Sequence, residues 1–147
     1  MATYDFCIAG RWRNKDNIRP VLEAVRVSGK TAYCFIENSY EGEALTFNEN
    51  SQEDIEATMQ ESEAMAQDDP MIRKIFEVDM AAERASDAFL LVLPAGTAAH
   101  IEAGAAYGMG KKCYAIGKSE KTETLYCIFD KIFPDIAALQ TWLKEGK

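Results

Sequence analysis

Histidine is almost missing from this chain: His100 is the only one in 147 residues, and none of the four cysteines stands in a C-x-x-C pair. No zinc-ligand spacing and no dithiol redox motif is therefore present. Cys7, Cys34, Cys113 and Cys127 each sit in an apolar, strand-like run, which reads as buried free thiols in a reducing compartment. Long apolar runs are also lacking. No stretch approaches the roughly 20 apolar residues of a membrane span. The start, MATYDFCIAG, has no long apolar run behind a basic segment, so no secretory signal is expected and the location expected is cytoplasmic. Basic residues are in deficit, 16 Lys and Arg against 24 Asp and Glu, for a formal charge of −8. An acidic surface repels phosphate backbones and anionic lipid, so a DNA or RNA polymer or a membrane surface is not an expected partner. A small phosphorylated ligand remains admissible, because a helix N-terminus and local cations can hold it.

What is present is ordinary globular composition, 48% apolar and 27% charged, at the length of one domain spanning 1–147. Short apolar runs alternate with helical patterns. Strands are expected at Tyr4–Ala9, 31–36, 88–93, Lys112–Ile116 and 125–129. Helices are expected at 17–28, from Ser51 to about residue 68, from Pro70 to about 85, at 98–109 and at 135–144, with a polar loop at 37–50. Gly29 stands where a left-handed C-terminal residue would stop the first helix. Strand–helix alternation predicts an α/β fold, a five-stranded parallel sheet of flavodoxin or Rossmann-like type in the order 2-1-3-4-5 with helices on both faces. Ligands in such sheets bind beyond the carboxyl ends of the strands where the winding reverses, here the loops after strands one and three.

Those loops carry the candidate chemistry. Strand three runs into Pro94-Ala-Gly96-Thr97-Ala-Ala-His100-Ile-Glu102. Its small residues allow close backbone approach, and the helix opening near Ala98 aims free N–H groups at a ligand. Glu102 falls in the first turns of that helix, where the dipole is expected to keep it ionised as a nucleophile or electrostatic partner. An acidic residue is also simply common there, and spacing leaves both readings open. Asp79 reads as a solvated charge and Asp87 as the end of a helix. His100 invites a general-acid role or an incidental one. Trp12 and Arg13 suit stacking on a base and contact with a phosphate, or surface packing. Tyr107 and Met109 read as core or subunit contacts, and Lys111 and Lys112 as complements of a helix C-terminus. The end of strand one, Ala9-Gly10-Arg-Trp-Arg, has neither the acidic cluster of a receiver domain nor the Ser/Thr-rich phosphate loop of an FMN domain.

Three features together resemble the nucleoside 2-deoxyribosyltransferase family and its nucleotide N-glycosidase relatives. They are a first strand ending Ile8-Ala9-Gly10 with Trp12 behind it, Asp79 followed eight residues later by Asp87, and Gly96-Thr97-x-x-x-x-Glu102-Ala-Gly104 with Gly110-Lys111 at the helix end. The resemblance covers most of the chain as one such domain. It implies that Glu102 attacks the anomeric carbon of a (deoxy)ribose, that the base leaves, and that water or a second base resolves the glycosyl ester. Asp79 would bind or protonate the departing base or orient Glu102. Gly10, Trp12, Gly96, Thr97, Phe6 and His100 would contact a nucleoside or nucleotide, with no cofactor and no metal. Phe6 matches the position of a tyrosine in the family, and Gly96 that of an aspartate in the transferases; Gly96 and Thr97 fit the nucleotide-hydrolysing branch better. The resemblance also implies a homodimer or higher homo-oligomer, with the loop 117–122 reaching a neighbouring site. A non-catalytic nucleotide-binding or signalling module on the same fold is the alternative.

Overall fold

The computed structural model describes residues 3–38 and 64–145. Strands and helices alternate as β1 (Tyr4–Ala9), α1 (Lys15–Val27), β2 (Ala32–Cys34), α2 (Pro70–Arg84), β3 (Ser86–Val92), α3 (Thr97–Gly108), β4 (Lys112–Ile116), β5 (Lys131–Phe133) and α4 (Ile136–Lys144). Every strand pair is parallel and the order is β2-β1-β3-β4-β5, as the alternation predicts. The helix expected from Ser51 and the loop before it lie largely outside the described residues.

Two apolar layers sandwich the sheet. On one face Phe6, Ile8, Leu90 and Val92 meet Ile18, Leu22 and Val25 of α1 and Leu139, Trp142 and Leu143 of α4. On the other, Cys7, Ala9, Phe89 and Leu91 meet Ala82 of α2 and Ala99, Ala103 and Ala106 of α3. Strand β3 is buried at every position but Asp87, which accounts for its unbroken apolar run. The alanine stripe of α3 sets that helix close against the sheet.

Helix ends follow local chemistry. The Asp69 carboxylate accepts from the Met71 N–H at 2.8 Å, and Pro70 occupies the first position of α2. Asp135 caps α4 through the Ala138 N–H at 2.9 Å. Gly29 takes φ +92° after α1, as expected of a stop.

The fifth strand is displaced from its expected place. Residues Thr124–Ile128 form a 3₁₀ turn, capped by the Glu123 carboxylate on the Leu125 N–H, and β5 follows at Lys131–Phe133. The apolar run 125–129 serves side-chain packing instead: Tyr126 and Phe129 lie at 5.4 Å edge to face, and Phe129 is buried under the sheet. A short apolar run does not by itself distinguish these two uses. One consequence is that Cys127 is exposed, while Cys7, Cys34 and Cys113 are buried; all four are free thiols.

Candidate active site

A cleft of about 300 Å³ opens where the chain order reverses, between the carboxyl ends of β1 and β3. The loop after β1 contributes Gly10, Arg11, Trp12 and Arg13, the segment after β2 contributes Phe35, α2 contributes Asp79, and the start of α3 contributes Gly96, Thr97 and Glu102. Gly10 is required by packing. A Cβ there would stand 2.9 Å from Ile18 Cδ1 and 3.2 Å from the Val92 carbonyl oxygen. Its neighbour Trp12 meets Phe35 edge to face at 6.3 Å, and the Lys15 ammonium lies 4.9 Å from the Trp12 ring centre. The Asn14 amide donates to the Pro94 carbonyl at 3.3 Å, tying the loop after β1 to the loop after β3.

Helix α3 is preceded by Gly96, which supplies no side-chain cap, so among the described residues no side chain caps its first N–H groups, which lie at the cleft and carry the positive end of the helix dipole. The Arg11 side chain lies along Gly96, within ordinary contact of where a Cβ would be. Arg11 makes no ion pair among the described residues.

The same cleft also holds the carboxylates of Asp79 and Glu102. The buried Tyr33 hydroxyl donates to Asp79 Oδ1 at 2.8 Å, and the Asn38 amide donates to the Tyr33 oxygen at 3.2 Å. Burial pushes the Glu102 carboxyl up to about 8, with Asp79 and then Glu83 adding like-charge repulsion. This overturns the expectation that the dipole holds Glu102 ionised. Glu102 is the sixth residue of α3, beyond the first turn to which a dipole effect is confined, and desolvation dominates there. Burial also raises Glu83, to about 7; Lys111 and Arg84 oppose the shift and Asp79 adds to it. The Cys7 thiol is raised well above its usual value, by burial first and then by Glu102, Glu83, Cys34 and Asp79.

No family model matches the sequence, and no curated protein matches it. Among solved structures the likeness is one of shape. The fold resembles that of a 2-deoxyribosyltransferase. That enzyme comes from the psychrotolerant bacterium Bacillus psychrosaccharolyticus and is described as a biocatalyst for the synthesis of antiviral and antitumoral nucleosides. The two superpose with a TM-score of 0.68 at 14% identity, over 92% of this chain and 89% of that one. At such identity the likeness establishes a common α/β fold.

Of the residues singled out in the sequence, Glu102, Asp79, Gly10, Trp12, Gly96 and Thr97 meet in the cleft, whereas Phe6 and His100 do not line it. The pleat of β1 turns Phe6 to the opposite face, against Trp142 at 6.4 Å, and it is Cys7 that lies on the Glu102 side. His100 faces away from the cleft: Nδ1 lies 2.8 Å from the Gly96 carbonyl and Nε2 2.8 Å from the Tyr126 hydroxyl. With the proton on Nδ1, His100 donates to Gly96 and accepts from Tyr126, so it braces the loop that starts α3. Lys111 serves a different helix from the one expected, donating to the carbonyls of Arg84, the last residue of α2, and Ser86, the first of β3, and Lys112 pairs with Asp130 at 3.1 Å. Tyr107 and Met109 are exposed rather than core. Asp87 lies within β3, past the end of α2.

Tyr33, Phe35, Cys7, Arg11 and Glu83 were not legible as site residues. For Glu83 a signal existed, since it follows Asp79 by four residues on a helix and so shares its face. Tyr33 lies beside Cys7 in the β1–β2 register, a relation that appears only once the two strands are paired.

Proposed function

We propose that this protein cleaves or exchanges the N-glycosidic bond of a (deoxy)nucleoside or 5′-nucleotide, with Glu102 as nucleophile. The observation that carries the reading is the make-up of the cleft: Glu102 and its Asp79 neighbour line it together with Trp12, Phe35 and the start of α3. A Glu102 oxygen attacks the anomeric carbon as the carbon–nitrogen bond breaks, and that electron pair leaves with the base. Asp79, held by Tyr33, binds the base or gives it a proton. The glycosyl ester is then opened by water or by a second base, which restores the carboxylate. Trp12 and Phe35 offer a stacking surface for the base. Arg11 and the uncapped start of α3 suit a 5′-phosphate, which favours nucleotides over nucleosides.

Incubation with a panel of nucleosides and 5′-nucleotides, followed by chromatography for free base, tests this. Base release that is lost in Glu102→Ala is expected. No release from any member, or equal release by the variant, sinks the proposal. Phe6, at the position where the resemblance would have a tyrosine, is turned to the opposite face and leaves the Cys7 thiol on the Glu102 side, which favours a second reading, a nucleotide-binding module without turnover. That reading predicts a rise in melting temperature with nucleotide and no product.

A further inference from the structure

Glu83 is a buried carboxyl that the proposed reaction does not use. It is 0% exposed, and neither of its carboxylate oxygens has a hydrogen-bond partner among the described residues. It follows Asp79 by one turn of α2, so the two point from the same helix face, and α2 packs against α3, which carries Glu102. Groups of either charge face it from each side. On its own helix are Asp79 and Arg84; Lys111 precedes β4; Glu102 stands on α3, Cys7 on β1 and Cys113 on β4. Burial keeps both thiols protonated. The Lys111 ammonium is directed to backbone carbonyls and forms no ion pair with Glu83. A buried carboxylate without a partner is expensive, and the neutral acid is far less so.

We propose that Glu83 is a positioning residue for Glu102: it touches no ligand, and its state of ionisation sets how readily Glu102 becomes a carboxylate. Neutral Glu83 leaves Glu102 to ionise against Asp79 alone. Ionised Glu83 adds a third negative charge and drives Glu102 back to its inert acid form. The inference deepens the glycosyl-transfer reading and rests on it for its catalytic meaning, but the ionisation of Glu102 can be read in the ligand-free protein.

The test is a carbon-13 NMR titration of the Glu102 side-chain carboxyl in wild type, Glu83→Gln and Glu83→Met. The second variant is an apolar replacement of similar length that keeps the comparison open if a buried amide is not tolerated. Both variants are expected to lower the Glu102 midpoint by about half a pH unit to one unit, and to move the acidic limb of base release by the same amount. An unchanged Glu102 midpoint in a folded variant overturns the proposal and leaves Glu83 a structural acid. Failure of the wild type to release base from any substrate would count against the glycosyl reading alone, since the titration does not depend on turnover.

Discussion

Glu102 holds its carboxyl among groups of its own sign, and that governs its chemistry. A nucleophilic carboxylate must be ionised, and burial with Asp79 and Glu83 raises Glu102 to about 8. The expected kcat/KM profile for base release therefore climbs with pH through that region rather than near the ordinary carboxylate range, and a rate-versus-pH measurement checks it. Glu102→Gln, which cannot form the ester, is expected to lower the rate by about 10³-fold or more. Tyr33→Phe removes one hydrogen bond to Asp79 and should cost about 1–2 kcal/mol in a denaturant titration, with a rise in KM if Asp79 meets the base. Asp79 and Glu102 were legible because the order of the resemblance placed them. Tyr33 was not, because a buried tyrosine has no local pattern that separates it from core; Glu83 had only its i, i+4 spacing from Asp79, which shows a shared helix face but not its burial.

Among the elements, β1, α2, β3, α3 and β4 were readable from apolar period and capping residues, since each carries its burial pattern within its own few residues. The last strand was not. Both 125–129 and 131–133 are apolar enough to pair, and the choice falls to a non-local contact, the seating of Tyr126 on His100 and Phe129. Phe6 was misplaced for a related reason: which face of β1 looks at α3 depends on the register of the whole sheet. The two glycines of the cleft should differ when tested. Gly10→Ala forces Ile18 and the end of β3 apart and should destabilise by about 1–3 kcal/mol. Gly96→Ala meets only the flexible Arg11 side chain at ordinary distance and should leave the denaturation midpoint within about 0.5 kcal/mol of wild type.

For the molecule as a whole, two raised carboxyls make stability depend on pH. Glu83 and Glu102 shift from 4.5 to about 7 and about 8 in the folded state. Between those values the folded chain holds more protons than the unfolded one, so stability falls as pH rises from about 4.5 and levels off above about 8. The Glu83 share is on the order of a few kcal/mol. Thermal melts from pH 5 to pH 9 should show the decline, and Glu83→Met should flatten it. Ile101 and Tyr107 on α3 are exposed, at 67% and 57%, and sedimentation is expected to report a homo-oligomer; a monomer at working concentration would remove that proposal. Helix α3, whose Gly96 cap supplies no side-chain hydrogen bond at the edge of the cleft, has a further consequence. A bound anion would stand in for the missing cap, so part of the protein's secondary structure would be completed by its substrate. The amides of Thr97, Ala98 and Ala99 should then exchange with deuterium freely in the empty protein and slow markedly when 5′-nucleotide is added.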